Sequence, residues 1–178
     1  MVRLTLITAV LATLGSALAE PCKSRTGLLQ MVTYVKRHPD FTREEYWDYW
    51  QTQHAPKVAP LAVHFNITRY QQVQVGGMIL PTDAGSEVPA ATEPVDFDGM
   101  AMFLYESADV LTAMLTHPYY LEVVEPDEHV FIDKTAHGGG MVATFIGTHV
   151  EVVDREKDVW VGDDATGIKY QQLFNSYA

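Results

Sequence analysis

The chain has 178 residues, 47% of them hydrophobic, enough to build one compact domain around a sizeable core. Its formal net charge of -11 at pH 7 argues against nucleic acid and against anionic membranes as partners. Cys22 is the single cysteine, which excludes an internal disulfide and a thiolate metal cluster.

The first segment reads as separate from that domain. Met1-Val2-Arg3 carries a positive charge, Leu4 to Gly15 is an apolar run, and Ala17 and Ala19 satisfy the small-x-small pattern of a signal-peptidase site. The expectation is a secretory signal over residues 1–19, cleaved after Ala19, with a buried N-terminal element as the alternative. The run is too short to span a bilayer, which takes about 20 apolar residues. No later stretch is apolar enough for a membrane helix. Removing Arg3 with the signal makes the mature chain one unit more negative. Asn66-Ile67-Thr68 is a glycosylation sequon and fits secretion.

Two similar units follow. Leu28 to Lys36 is rich in β-formers and predicts a strand. Thr42-Arg43-Glu44-Glu45 matches a capping box with Thr42 as N-cap, and the helix it opens is expected to run to about Val58. Ile67 to Val75 mixes β-branched, aromatic and polar residues, as a strand with one solvated face does. In the second unit Met100 to Tyr105 predicts a strand and Ser107 an N-cap. Leu111, Met114 and Leu115 form an apolar stripe at helical spacing, and Met141 to Val150 is the fourth strand. The segment from His117 to Asp133, punctuated by Pro118 and Pro126, predicts a broken helix followed by a turn into an edge strand.

This order, β-α-β-β-α-β, is the ferredoxin-like α+β arrangement. Its uncovered sheet face, if apolar, is usually closed by face-to-face dimerisation. Between the units, Gly76 to Phe97 is a long loop carrying Pro81, Pro89 and Pro94. The domain is expected over residues 20–150. Residues 151–178 form a C-terminal extension, charged and then aromatic (Tyr170, Phe174, Tyr177), for which a dimer arm is one reading and the pattern decides none.

Chemistry points first to the helix after Thr42. Trp47, Trp50, His54 and Val58 share one face, and Tyr46 borders it. His54 is a titratable ring on an apolar stripe; it is either a core histidine bonded to backbone or a pocket base kept neutral by burial. Near Pro126, Asp127 and Glu128 could orient a histidine or form a solvated turn. No GxGxxG, Walker, HExxH or GxSxG motif is present. His137-Gly138-Gly139-Gly140 reads as a flexible lead-in to the fourth strand. No histidines pair at i, i+4 spacing, which argues against a metal site.

Lys36-Arg37-His38-Pro39-Asp40-Phe41-Thr42, then Glu45-Tyr46-Trp47, Tyr49-Trp50 and His54-Ala55-Pro56, resembles the signature of EthD-domain proteins. Asp98-Gly99-Met100-Ala101 resembles that family's third strand, and Pro126-Asp127-Glu128 with Phe131 and Asp133 its late motif. The resemblance covers about Leu28 to Val150 and implies a dimeric α+β barrel. Within the family the chain is most similar to the fungal decarboxylases and dehydratases of aromatic-polyketide pathways, enzymes taken to need no cofactor.

The resemblance implies a lyase acting on an aromatic polyketide, by decarboxylation or dehydration. His54 would move the proton, with His129 as a second candidate and Asp127 as its orienting partner. Tyr34 and Tyr105 would border the pocket and polarise a carbonyl, while Tyr46, Trp50 and Phe103, with Trp47, would give apolar walls to an aromatic substrate. A cofactor-free monooxygenase of anthrone-like substrates, haem ligation by His54, and a secreted non-catalytic binder of a hydrophobic small molecule are the alternatives.

Overall fold

The structure, a computed structural model, describes residues 26–77, 85–88, 90–91 and 96–177. The expected signal segment, Cys22 and much of the long loop lie outside the described residues.

The first strand, β1 (Leu29–Val35), leads to a helix opened by the capping box read from sequence. The Thr42 hydroxyl accepts from the Glu45 N–H, and the Glu45 carboxylate accepts from the Thr42 N–H at 2.8 Å. Helix α1 (Arg43–Tyr49) passes through a π-helical turn, Trp50–His54, directly into α2 (Ala55–His64). The helix therefore runs past the expected end near Val58. It tolerates Pro60 because Leu61 and Ala62 beyond it are buried. Asn66 stops it in the left-handed region (φ 52). Its N–H bonds to the Val63 carbonyl and that of Ile67 to the Ala62 carbonyl, the paired bonds of a Schellman cap.

Strands β2 (Arg69–Gln74) and β3 (Gly99–Tyr105) follow, then α3 (Ala108–Thr116), whose N-cap Ser107 accepts from the Val110 N–H. A second π-helical turn, Tyr120–Val124, enters α4 (Glu125–Phe131), and β4 (Met141–Thr148) completes the sheet. The edge strand expected after Pro126 is not formed. Pro126 follows directly on the π turn, whose closure five residues back accommodates the missing N–H and keeps the chain helical. The chain stays helical through Phe131, and Ile132 makes a single bridge to Arg37. The glycine run before β4 has a conformational cause, since Gly138, Gly139 and Gly140 all take positive φ (67°, 69° and 80°).

The two π turns have one cause. Each is followed, two residues on, by a proline (Pro56, Pro126) that has no N–H to return and whose ring crowds the carbonyl four residues back. The chain closes five residues back instead, Ala55 N–H to Trp50 and Glu125 N–H to Tyr120. The halves thus repeat each other locally, with Trp50 matching Tyr120, His54 matching Val124 and Lys57 matching Asp127.

The four strands pair antiparallel in the order β2-β3-β1-β4, the ferredoxin-like α+β sheet. Thr33 and Val35 of β1 and Ala101 and Phe103 of β3 share the face beneath the helices. Tyr46, Trp50, Leu111, Met114 and Phe131 fill the layer between. Gly99 lets α1 sit close: a Cβ there would lie 2.5 Å from the Tyr46 hydroxyl and 2.6 Å from the Trp50 ring. Asp98, 1% exposed, ties the lead-in to the same helix. Its carboxylate accepts from the Arg37 backbone N–H at 3.1 Å and from Arg43 Nε at 2.9 Å, and its carbonyl accepts from Trp47 Nε1 at 2.6 Å.

After the sheet come a two-stranded hairpin, β5 (Val153–Asp154) with β6 (Lys157–Asp158), and helix α5 (Asp164–Asn175). No residue of α5 is buried, and Ile168, Tyr170 and Phe174 are exposed. Among the described residues no helix is long and apolar enough to cross a membrane.

Candidate active site

A cavity of about 180 Å³ lies between the sheet and the helices. Its walls are largely apolar (Val35, Val58, Phe103, Met114, Phe131), with His54, Tyr70, Tyr120 and Glu128 as polar members. The π turn that ends at His54 places this ring on the cavity while Trp50, one turn earlier, forms the adjoining wall.

His54 Nδ1 lies 2.8 Å from Asp127 Oδ2, with both side chains almost wholly buried. An ionised carboxylate only accepts, so the bond assigns the proton to Nδ1 and leaves the Nε2 lone pair on the cavity side. Burial lowers the His54 pKa, and the bond to Asp127 opposes that shift without overcoming it. The other carboxylate oxygen, Oδ1, accepts from the Tyr49 hydroxyl at 2.8 Å and from Lys57 Nζ. Burial works to raise the Asp127 pKa, but the bonds from Lys57, His54 and Tyr49 outweigh it, and the group is held below the usual carboxylate range. The Phe131 ring packs 4.8 Å from the imidazole and fixes its tilt.

A second polar cluster borders the cavity. Glu128 Oε1 accepts from the Tyr120 hydroxyl at 3.0 Å and Oε2 from Lys134 Nζ at 2.8 Å. Burial, then the adjacent Glu128 charge, drives the Tyr120 pKa strongly upward, so its phenol stays neutral. Across the cavity Tyr70 stacks on Phe103, with ring centroids 4.4 Å apart, and its oxygen accepts from Gln72 Nε2 at 2.8 Å. Burial pushes the Tyr70 phenol up to about 12. Among the described residues no group of three or more His, Cys, Asp or Glu is placed to hold a metal ion.

The residues singled out from sequence divide cleanly. His54, Asp127, Trp50 and Phe103 come together at the cavity or directly behind it. His129 does not: it lies exposed on the outer face of α4, because a helix turns it away from Asp127 two positions earlier. Tyr34 does not either. Its neighbours Thr33 and Val35 face the cavity, so Tyr34 emerges on the opposite side of the sheet, against Phe97 at 4.6 Å. Tyr46 and Tyr105 face the helical layer but sit in solid core outside the cavity wall, both 0% exposed. Tyr49, Lys57, Tyr70, Tyr120 and Lys134 were not among the expected set. The repeat of a proline followed by a charged residue, Pro56-Lys57 and Pro126-Asp127, was the one sequence signal that could have paired Lys57 with Asp127.

The model of a protein family described as EthD domain matches residues 38–135 of the chain, a span that includes both His54 and Asp127. A conidial pigment biosynthesis dehydratase EthD from Metarhizium robertsii is 26% identical over 108 residues, covering 61% of this chain and 76% of that protein. Among solved structures, an ethyl tert-butyl ether d (EthD) family protein from Bacillus halodurans aligns with a TM-score of 0.44 at 13% identity. That alignment covers 69% of this chain and 98% of the other. An EthD-like protein from Ralstonia eutropha aligns with a TM-score of 0.44 at 18% identity, covering 72% of this chain and 96% of the other.

Proposed function

We propose that this chain, which belongs to the EthD domain family, is a cofactor-independent lyase that removes water or carbon dioxide from an aromatic polyketide intermediate. The observation that carries the reading is the His54–Asp127 pair, which leaves the imidazole Nε2 on an apolar cavity. A neutral, oriented imidazole can take a proton from carbon beside a carbonyl, and its protonated form can return one. Phe103, Trp50 and Phe131 supply flat surfaces for a ring system. The relative from Metarhizium robertsii supports the reading by its name, a dehydratase of pigment biosynthesis.

The same reading takes the mature protein to be secreted, glycosylated at Asn66 and homodimeric. Support comes from the order of residues 1–19, from the exposed position of Asn66, and from Val32, Tyr34, Met100 and Met102, which alternate away from the helices onto the outer sheet face. Mass analysis of protein expressed with its own N-terminus tests cleavage after Ala19 and the glycan, and light scattering tests the dimer.

The activity is tested by incubating the protein with aromatic polyketide ketones and acids and following product mass. Loss of water or of carbon dioxide supports a lyase. Gain of oxygen would assign a monooxygenase, and binding without change a carrier. A His54→Ala variant is expected to lose about 10²- to 10⁴-fold in kcat, the contribution of a positioned acid–base group; full activity in that variant would remove His54 from the mechanism.

A further inference from the structure

The charges around the cavity bear on which group leaves, a question that rests on the lyase reading. Residues 70–133, from the second residue of β2 to just past α4, contain no lysine or arginine. Among the described residues the cations near the site are already paired: Lys57 with Asp127, Lys134 with Glu128, Arg37 and Arg43 both with Asp98, and Lys36 with Asp96. In the two pairs that border the cavity the polarity is the same. The carboxylates are inner, with side chains 7% and 10% exposed, and the ammonium groups are outer, at 35% and 22%. A molecule in the cavity therefore meets the negative end of both pairs, Glu128 directly and Asp127 through His54.

A carboxylate brought into this space would shed its water and gain no cation in return, beside a fixed negative charge. Uncharged oxygens are provided for. The Tyr70 oxygen accepts from Gln72, which leaves the phenol proton for a ligand oxygen.

We infer that the cavity selects an uncharged cyclic β-hydroxy ketone and rejects its carboxylated counterpart, so that the group lost is water. His54 Nε2 takes the proton from the carbon between the carbonyl and the carbinol carbon. The C–H electron pair becomes an enolate whose oxygen accepts from the Tyr70 hydroxyl. The enolate then forms the C=C bond as the C–O bond breaks, and the imidazolium returns its proton to the departing hydroxide. Ketone becomes enone plus one water, and His54 is neutral again; one base serves both transfers.

The test pairs binding with turnover. Quenching of tryptophan fluorescence is titrated with a naphthol and with the corresponding hydroxynaphthoic acid at neutral pH. The naphthol is expected to bind at least about tenfold more tightly, the acid's buried charge going uncompensated. Glu128→Gln is expected to narrow that ratio by improving the acid's affinity. A hydroxytetralone that aromatises to a naphthol on losing water is the turnover probe, and its product appears faster than in buffer. Equal or tighter binding of the acid, or release of carbon dioxide from it, would overturn the selectivity. Preference for the naphthol with no acceleration of the hydroxytetralone would instead overturn the lyase reading and leave the selectivity standing.

Discussion

His54 Nδ1 and Asp127 Oδ2 lie 2.8 Å apart although the two residues belong to different halves of the chain. The ring comes from the first long helix and the carboxylate from the second, so closing the fold is what sets the tautomer. Asp127→Asn tests this. An amide offers one acceptor atom and one donor group where the carboxylate offers two acceptors. Facing its oxygen to His54 would leave its NH₂ against Lys57 and Tyr49; facing it the other way would place the proton on Nε2. A loss of about 10²-fold in kcat with a smaller change in KM is expected for an interaction of this kind. Steady-state kinetics on a turned-over ketone decide it, and unchanged kcat would show that orientation by Asp127 is dispensable.

Lys57 shares Asp127 with His54 and acts on the ring from a distance. Its positive charge lowers the His54 pKa and it draws the carboxylate toward itself. Lys57→Met removes both effects, so the imidazole becomes easier to protonate. The acidic limb of the kcat–pH profile is then expected to move to higher pH, because the base form of His54 is the active one. A limb that stays in place or moves to lower pH would contradict the assignment.

Stability follows the same two groups. The pKa of His54 is lowered from 6.5 by burial, so below about pH 6.5 the unfolded chain binds a proton that the folded chain resists. Its contribution is complete above that pH and is lost as pH falls. Asp127, also lowered, acts in the same direction but only once the pH approaches its ordinary value of 3.8. Urea midpoints are therefore expected to drop between about pH 7 and about pH 5. A His54→Gln variant should flatten the drop over this interval; an equally steep drop in that variant would assign it to other groups.

Gly99→Ala probes how closely α1 approaches β3. Its new methyl would meet the Tyr46 hydroxyl at 2.5 Å and the Trp50 ring at 2.6 Å, neither of them the loose end of a flexible chain. Overpacking of this kind costs about 1–3 kcal/mol. Denaturant unfolding should register the loss, and a shift in tryptophan emission should accompany it because Trp50 also walls the cavity. Wild-type stability with unchanged emission would mean that the helix can retreat freely.

Much of this was legible in the sequence, for reasons that can be named. Thr42 and Ser107 are short polar residues before apolar periodicity, and both cap helices. The strands were readable from β-branched and aromatic runs. What periodicity cannot carry is the choice of face when both faces are apolar: β1 alternates Met31, Thr33 and Val35 with Val32 and Tyr34, so Tyr34 could not be assigned by pattern. His129 failed for a related reason, since Pro126 reads equally as a turn and as the first turn of a helix. Tyr49 was passed over because its ring lies beside the apolar stripe, where only the partner helix reveals that its hydroxyl reaches Asp127. Tyr70 sat in a strand that sequence marked as half solvated, and its stacking on Phe103 depends on the β2–β3 register.

The proline-closed π turns put Lys57 and Asp127 at equivalent places, and the two residues are bonded to each other. That contact lies where the symmetry of the repeat would bring like to like. A protein assembled from two copies of the first half would set two ammonium groups against each other there, and one assembled from two copies of the second would oppose two carboxylates. Only the unlike pairing is neutral. The asymmetry that gives one half the imidazole and the other its acceptor therefore also places a neutral pair where the two helices meet, and a graft that exchanged either half alone would forfeit both.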